Sequence, residues 1–235
     1  MPESGAFSHL QLHNQVSEHI RNAILRGEIS PNEWIRQQRI ADQLGVSQMP
    51  VREALKKLAA EGLVEHIPYR GARVVRFSVE DIEDLYAQRA LLESRAARAA
   101  THHLTREDLH DLHAIQTQLE QNLSAEDIGK YRELNRSFHQ AIYRKSQRNY
   151  LIRALDQLWL AFPSMLFTHF LQTSNLPLPS KESTDIQEHC KILAALEVKN
   201  DVQAEEAVYE HIITAGNSFT ALLKANKKGG EYIEI

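Results

Sequence analysis

Residues 40–58 read IADQLGVSQMPVREALKKL, and this stretch decides the fold of the N-terminal part of the chain. Apolar residues recur at helical spacing in both halves: Ile40, Ala41 and Leu44 in the first, and Val51, Ala54, Leu55 and Leu58 in the second. Gly45 gives the backbone the freedom that a tight corner needs. Ser47 is a good N-cap whose hydroxyl can accept a hydrogen bond from the next turn, and Pro50 in that first turn costs no hydrogen bond. The stretch predicts two helices joined by a turn.

The polar face of the second predicted helix suits contact with DNA. Arg52 can pair with guanine through two hydrogen bonds, Gln48 can pair in the same way with adenine, and Lys56 suits phosphate oxygens. In the alternative interpretation, Arg52 pairs with a neighbouring carboxylate and Lys56 lies on a solvated face. The candidate DNA-contacting residues at the start of this helix and within it are Ser47, Gln48, Met49, Pro50, Arg52 and Lys56.

A basic hairpin is predicted directly after the second helix. Residues 63–67 and 72–75 have the composition of two short strands, and the four residues between them, PYRG, are typical of a hairpin turn. Residues 36–76 hold eight Lys or Arg against four Asp or Glu, although the whole chain has a net charge of −4. Helix, corner, helix and basic hairpin together predict a winged helix-turn-helix that binds double-stranded DNA, with Arg70 and Gly71 at the tip of the wing.

Residues 12–75 resemble the winged-helix domain of the GntR family of bacterial transcription regulators. The motifs that carry the resemblance are LGVS at 44–47, PVREAL at 50–55 and EGLV at 61–64. Better-known members have Arg and then Thr after the Ser, where this chain has Gln48 and Met49. Some relatives also use an Arg on DNA where this chain has Gln38. The resemblance implies an operator of similar layout but of different sequence.

Length and composition predict two domains. The chain has 235 residues and 43% hydrophobic content, which is enough to bury a core in each half. We expect a DNA-binding domain over residues 1–76, an effector-binding and dimerisation domain over 77–226, and a flexible tail over 227–235. A single cysteine excludes an intramolecular disulfide framework. The sequence shows no signal-peptide pattern and no apolar run long enough to span a membrane, so we expect a cytoplasmic protein.

Beyond residue 78 the sequence shows only helical patterns. The predicted helices cover about residues 79–102, 106–123, 125–145, 149–172, 184–199 and 201–224. Ser78, Thr105 and Ser124 can cap the first three of them. The predicted fold class is therefore mostly α, with an N-terminal winged helix-turn-helix followed by an all-α antiparallel bundle of about six helices. A bundle of this kind can enclose a cavity. Polar residues on the inward-facing stripes of its helices are therefore candidates for a binding site.

Arg89 is the first such residue. It lies in the middle of the apolar face of the first bundle helix, which is formed by Ile82, Leu85, Leu92, Ala96 and Ala99. Burying a guanidinium without an anion is costly, so Arg89 needs a partner. Two partners are open: Glu93 one turn further on, or the carboxylate of a bound effector.

Three of the twelve histidines also fall on inward stripes. His139 lies one turn after Asn135, and His189 and His211 lie on the apolar stripes of two further helices. Three imidazoles from three helices, together with the amide oxygen of Asn135, can make a mononuclear metal site with open positions. A single histidine on an apolar face is more often a structural core residue, so structural histidines are the alternative.

The helical part resembles the ligand-binding C-terminal domain, called FCD, of the FadR subfamily of GntR regulators. The resemblance is carried by Tyr86, RALLE at 89–93, LNRSFH at 134–139, Glu188, His189, Ala207 and His211. In many members the positions that match Asn135, His139, His189 and His211 bind a divalent metal, often zinc or nickel, which holds a small organic acid. Many relatives have Asp in place of Asn135, and a neutral amide is a weaker ligand. Asp185, one turn before His189, is a further candidate carboxylate, with helix capping as the alternative.

These patterns predict a sequence-specific transcription regulator, most simply a repressor, that binds a pseudo-palindromic operator as a homodimer. A small carboxylate metabolite held by the metal and by Arg89 would release or rearrange the dimer. One alternative is a metal-dependent, hydrolase-like enzyme fused to a DNA-binding module, for which Glu93 is the main inward candidate base. The other is a regulator without a metal.

Overall fold

The structure, a computed structural model, describes residues 9–25, 28–67, 70–76, 78–122, 128–161 and 184–226. These ranges contain nine helices and one three-stranded sheet, which lies in the N-terminal part. The predicted fold class is confirmed. The chain divides into two compact units, the first of which is built chiefly from the residues up to Arg76.

The N-terminal unit combines three helices with a small sheet. Its elements are α1 (His9–Leu25), β1 (Trp34–Ile35), α2 (Gln37–Leu44), α3 (Gln48–Ala60), β2 (Val64–Ile67) and β3 (Gly71–Val74). The strand order is β1-β3-β2, and β3 pairs antiparallel with both neighbours. The sequence did not predict β1, because two residues are too short to show the alternation that identifies a strand.

The corner between α2 and α3 has the geometry that the glycine predicts. Gly45 adopts a left-handed conformation with φ of +64°. The N–H of Val46 donates to the carbonyl of Ala41 at 3.0 Å, which closes α2 in a Schellman-type end. Most predicted stripe residues are buried in one core, to which α1 and the sheet add Val16, Ile20, Ile35 and Val74, while Leu44 packs against it half-buried.

The predicted wing is present as the β2–β3 hairpin. Ile67 lies opposite Gly71 at the end of the hairpin that bears the turn. Gly71 has φ of +106°, a conformation that residues with a side chain rarely adopt. Arg70, directly before it, is exposed. Pro68 and Tyr69 of the predicted turn lie outside the described residues.

The C-terminal unit is helical throughout its described part. Its elements are α4 (Val79–Ala100), α5 (Arg106–Gln121), α6 (Ile128–Arg144), α7 (Asn149–Ala161), α8 (Thr184–Glu197) and α9 (Asp201–Asn226). The described ranges of this unit therefore contain six helices. Residues 162–172 of the predicted fourth helix and the predicted tail, 227–235, lie outside the described residues. Among the described helices, none combines the length and apolar character needed to cross a membrane.

Two capping boxes fix where α4 and α5 begin. The Ser78 hydroxyl accepts a hydrogen bond from the Asp81 N–H, and the Asp81 carboxylate accepts one from the Ser78 N–H. Thr105 and Asp108 form the same pair at the start of α5. Each cap stabilises its helix by about 1 kcal/mol.

A glycine allows α9 to lie close against α4. A Cβ atom at Gly216 would lie 2.7 Å from the side chain of Tyr86, so no larger residue fits without moving that ring. Tyr86 is buried and faces the interior of the bundle near Arg89. Close packing of these two helices therefore fixes one wall of the polar interior.

Candidate functional site

The outward face of α3 carries exposed polar side chains. Gln48, Met49 and Arg52 are exposed, and Met49 has 59% of its surface accessible. Arg52 forms no hydrogen bond or ion pair with another described residue. Lys56 donates to Glu53 at 2.8 Å, and both residues are exposed. The contacts of Arg52 and Lys56 with DNA stay predictions.

Gln38 and Gln48 connect α2 to α3 across this face. The Gln38 amide donates to Asp42 at 2.6 Å, and its oxygen accepts from the amide of Gln48. Both glutamines are exposed. This hydrogen bond holds the Gln48 amide at the first turn of α3. There the amide can replace its hydrogen bond to Gln38 with one to the edge of a DNA base.

Ser47 and Pro50, at the start of α3, differ from the sequence predictions of a capping hydroxyl and of a DNA-contacting proline. Ser47 occupies the N-cap position of α3, but its hydroxyl makes no capping hydrogen bond. It is therefore able to bond a phosphate oxygen that approaches the start of the helix. Pro50 is buried with the apolar stripe of α3, so it supports the start of the helix and offers no surface to DNA.

Two exposed arginines of the N-terminal unit were not singled out from the sequence. Arg36 is exposed at the N-cap position of α2, and Arg39 is exposed with a guanidinium nitrogen 3.9 Å from Glu33. The sequence feature that could have identified them was the excess of basic residues over 36–76. That excess predicts a DNA-binding surface but does not show which arginines form it. Both belong to the same unit as α3 and the wing.

Three histidines meet inside the C-terminal unit. We call His139 of α6, His189 of α8 and His211 of α9 the imidazole cluster; all three are buried. One ring nitrogen from each lies within 4.8 Å of the other two. The Nε2 atoms of His139 and His211 are 3.3 Å apart. The cluster has the residue types and the close spacing of a metal centre.

Each imidazole is held through its Nδ1 atom by a different acceptor. His139 Nδ1 lies 2.9 Å from Glu93, and His211 Nδ1 lies 2.9 Å from Glu188. His189 Nδ1 lies 3.1 Å from Oε1 of Gln116. With a proton on each Nδ1, each Nε2 atom keeps its lone pair. The Nε2 atoms of His139 and His211 face each other, and the Nε2 atom of His189 is buried. This is the arrangement in which outer residues orient metal-binding imidazoles.

Gln116 shows how firmly this orientation is set. Its amide nitrogen donates to Glu120 at 3.0 Å, which leaves its oxygen to face His189. The Nε2 atom of His189 is buried and has no hydrogen-bond partner among the described residues. A buried polar atom without a partner is costly, so its presence indicates a position for a ligand.

The partner of Arg89 is Glu93. Arg89 Nε donates to one carboxylate oxygen of Glu93 at 2.8 Å, while the other oxygen faces His139. The guanidinium also lies over the ring of Trp159, 4.0 Å from its centre. The first of the two open interpretations therefore describes Arg89 in this structure, and Glu93 links it to the imidazole cluster.

Burial and neighbouring charges favour the protonation states that metal binding requires: neutral His139 and His189, and ionised Glu93. Burial lowers the pKa of His139, with partial compensation by Glu93, and lowers the pKa of His189 well below its usual value. Burial alone would raise the pKa of Glu93, but the charge of Arg89 and the hydrogen bonds from His139 and Arg89 outweigh it and lower the pKa to about 2. Neutral imidazoles beside an ionised carboxylate are suited to a divalent cation.

Asn135 is half-buried on α6, one turn before His139 and on the same face. Its role as a metal ligand stays a prediction. Sequence reasoning assigned no role to Gln116 or Glu188. For Gln116 no signal was available, because it comes from a different helix 73 residues before His189. A second group, formed by Asp185, Glu188 and His211, also brings ligand atoms within 4.8 Å of one another.

Comparison with known proteins agrees with a DNA-binding N-terminal unit and a helical C-terminal unit. The family model "Bacterial regulatory proteins, gntR family" matches residues 12–74, and the FCD domain model matches residues 84–214. A crystal structure of a GntR-family transcriptional regulator from Pseudomonas syringae is 31% identical, with a TM-score of 0.54, over 94% of this chain and 90% of that one.

Two further relatives are named as regulators. The HTH-type transcriptional regulator McbR of Escherichia coli is 29% identical over 85% of this chain and 89% of its own length. Its structure superposes with a TM-score of 0.66 at 26% identity over 89% of this chain and 97% of that one. A probable D-xylose utilization operon repressor of Paenarthrobacter nicotinovorans is 28% identical over 85% of this chain and 84% of its own length. The chain therefore belongs to the GntR family of bacterial transcription regulators and carries an FCD domain in its helical part.

Proposed function

We propose that this regulator is a repressor whose DNA binding is controlled by a small organic acid, held in the C-terminal unit by a divalent metal at the imidazole cluster. The observation that carries the proposal is that one ring nitrogen from each of three buried histidines lies within 4.8 Å of the other two, while the Nδ1 atom of each has an acceptor. Zinc and nickel are the expected metals, since both bind imidazole well. His139, His189 and His211 would hold the ion, and Asn135 offers an amide oxygen from the same face of α6.

The spacing of the three imidazoles favours a bound cation over a cluster without a ligand. Two Nε2 lone pairs that face each other at 3.3 Å repel unless a positive charge lies between them. A single proton shared by His139 and His211 would relieve that contact but would leave the buried Nε2 of His189 without a partner. A metal ion satisfies all three nitrogens at once, so it fits the described residues better than a proton.

The proposed ligand is an acid because a bound metal supplies a Lewis-acidic position for a carboxylate. Arg89 lies beside the cluster through Glu93 and adds a guanidinium to the same interior. The acid must bind one state of the protein better than the other, since only differential affinity shifts an equilibrium.

The DNA-binding side of the proposal rests on the exposed face of α3 and on the wing. Arg52 and Gln48 would contact base edges, while Ser47 and Arg70 would contact the phosphate backbone. Two copies of the chain would bind a pseudo-palindromic operator, because a two-fold dimer presents two α3 helices with matching spacing. The relatives are named as regulators and repressors, so a regulatory role replaces the alternative of an enzyme.

The experiment begins with selection of the operator by the purified protein from a pool of random-sequence duplexes. Fluorescence anisotropy then measures binding to that operator before and after loading with Zn²⁺ or Ni²⁺ and addition of a panel of organic acids. The variant His189→Ala/His211→Ala should keep DNA binding but lose both metal and the response to acids. The control His102→Ala/His103→Ala changes two exposed histidines and should behave as the parent. Retained metal and retained response in the first variant would contradict the proposal.

A further inference from the structure

A cleft in the surface of the C-terminal unit is lined by three arginines. Its walls come from the end of α4, the beginning of α7 with the turn before it, and the first residue of α9. Its volume is about 810 Å³, which is within the range of pockets that hold small molecules. The arginines are Arg95 and Arg98 of α4 and Arg148, directly before α7. We call this site the basic cleft.

The basic cleft carries an excess of positive charge within an acidic unit. Residues 77–235 hold 17 Lys or Arg against 23 Asp or Glu. Arg98 is neutralised, because it donates to Asp201 at 3.1 Å and to Glu205 at 2.6 Å. Arg95 has only the same Glu205, at 3.8 Å, which is beyond hydrogen-bond distance. Two carboxylates therefore serve the two arginines of α4, and the third arginine adds a further charge.

Arg148 is that third arginine. It is exposed, and its guanidinium makes no hydrogen bond or ion pair with another described residue. Its backbone is held in place: its N–H donates to the Ser146 hydroxyl at 3.3 Å, and its carbonyl accepts from the N–H of Ile152 at 2.8 Å. Arg148 is therefore the N-cap residue of α7, with a side chain that is available to an anion.

The first residues of α7 line the same cleft. Asn149, Tyr150 and Leu151 belong to its wall, and the N–H groups of the first turn of a helix have no partner within the helix. The dipole of α7, a helix of 13 residues, adds partial positive charge at this end. An exposed arginine alone is an ordinary surface residue. An arginine at a helix start inside a cleft is an arrangement that binds phosphate groups.

An aromatic ring lies beside these donors. Tyr150 has 86% of its surface accessible, although its ring is large and mostly apolar. A ring of this kind offers a flat surface to the sugar or base of a ligand. A phosphate group carries nearly two negative charges and three acceptor oxygens, whereas a carboxylate carries one charge and two oxygens. The excess of cationic donors therefore fits a phosphate better than a carboxylate.

We propose that the basic cleft is a second ligand site of this regulator, which binds the phosphate group of a small phosphorylated metabolite. Arg148, Arg95 and the first amides of α7 hold the phosphate, and Tyr150 contacts the organic group attached to it. The site is separate from the proposed metal centre, because no described residue that lines the cleft belongs to the imidazole cluster or holds its Nδ1 atoms.

The test is calorimetry of the full-length protein in a buffer free of phosphate and sulfate. The probes are adenosine monophosphate, ribose 5-phosphate, inorganic phosphate and adenosine. The three phosphate compounds should bind, and adenosine should bind at least about tenfold more weakly than its monophosphate, because it lacks the charged hydrogen-bond acceptors. Tighter binding of adenosine monophosphate than of ribose 5-phosphate identifies the ligand as a nucleotide, and equal binding identifies it as a sugar phosphate.

Variants locate the binding in the cleft. Arg148→Gln should weaken binding of the three phosphate compounds by about tenfold or more, and Arg148→Glu should weaken it further by repulsion. Tyr150→Ala should weaken adenosine monophosphate more than inorganic phosphate. The control Arg106→Gln changes an exposed arginine that does not line the cleft and should bind as the parent does. Thermal melts establish that each variant is folded.

Removal of metal separates this inference from the proposed function. Protein stripped with a chelator and then dialysed should bind the phosphate compounds as well as the zinc-loaded protein does. The inference therefore stands if the protein holds no metal at all. Phosphate binding that disappears with the zinc would assign the phosphate to the metal and overturn the inference.

Three other results would also overturn it. The first is a parent protein that binds none of the phosphate compounds, or that binds adenosine and its monophosphate equally. The second is undiminished binding in both Arg148 variants. The third is a loss of operator affinity in Arg148→Gln without any binding of the small probes, which would assign the cleft to the DNA backbone.

Discussion

The exposed face of α3 and the buried imidazole cluster are organised in opposite ways. On α3, Arg52 bonds no other described residue and the Ser47 hydroxyl makes no cap. In the cluster, every Nδ1 atom has an acceptor, each from a different element: Glu93 of α4, Gln116 of α5 and Glu188 of α8.

The difference follows from solvent. A polar group at the surface is solvated until its partner arrives, so leaving Arg52 and Ser47 unpaired costs little. In the interior, each unsatisfied polar group costs about 1–3 kcal/mol, and groups left that way are therefore few. A surface site is recognised by several available groups in one pattern. An interior site is recognised by the few buried polar atoms without a hydrogen-bond partner, which here include His189 Nε2 and the Tyr131 hydroxyl.

The largest expected effect is the loss of a metal ligand. His189→Ala should lower zinc affinity by more than about 100-fold, because even removal of an outer partner of a ligand costs 10- to 100-fold. Competition with a chromogenic chelator measures this loss. The control His110→Ala changes an exposed histidine of α5 and should retain the parent affinity. Equal affinities of all three proteins would mean that the cluster is a structural core.

The next largest effect concerns α3. Arg52→Ala should weaken operator binding by about 10- to 100-fold, since one bidentate contact to a base contributes about 1–3 kcal/mol. Anisotropy with the selected operator measures it, and zinc content should not change. Arg106→Ala, which changes an exposed arginine at the start of α5, is the control. An Arg52 variant with full affinity would assign this residue to the solvated surface.

Local patterns were sufficient to predict much of this molecule. Gly45 predicted the corner, Ser78 and Thr105 predicted the starts of α4 and α5, and stripe positions predicted that His139, His189 and His211 face inward. Each of these inferences depends on residues within one or two turns of one another. Such relations are visible in a sequence because helical spacing fixes them.

What the sequence did not predict involves partners from distant segments or very short elements. The contact of Gln116 with His189 joins residues 73 positions apart, and no periodicity marks such a pair. The strand β1 has two residues and is stabilised only by its pairing with β3. Pro50 is part of a family motif and was predicted to contact DNA. The motif does not show that Pro50 is buried, which results from its position on the apolar stripe of α3.

Stability should depend on pH through the buried histidines of the metal-free protein. Burial lowers the pKa of His139 and His189, so the unfolded chain binds protons near pH 6.5 while the folded chain does not. Their contribution is present above pH 6.5 and is lost as the pH falls. The free energy of unfolding in chelator should drop by about 1–3 kcal/mol between pH 7.5 and 5.5. Urea titrations measure it, and a flat or rising profile toward pH 5.5 would contradict the assignment.

The smallest effects distinguish two serines at helix starts. Ser78→Ala removes a complete capping box and should lower the free energy of unfolding by about 1 kcal/mol. Ser47→Ala removes no capping hydrogen bond and should change stability by less than about 0.5 kcal/mol, while it weakens DNA binding a few-fold. Denaturation of both variants, with operator binding measured in parallel, tests the pair. A larger stability loss for Ser47→Ala would show that its hydroxyl caps α3 after all.

The most direct measurement is X-ray absorption spectroscopy of the zinc- or nickel-loaded protein at the metal edge. We predict one ion per chain with three imidazole nitrogens in its first coordination shell, at about 2.0–2.1 Å for zinc. The variant His139→Ala should lose one of them or the ion itself. A protein that retains no metal after loading, or a spectrum without three imidazoles, would contradict the central claim.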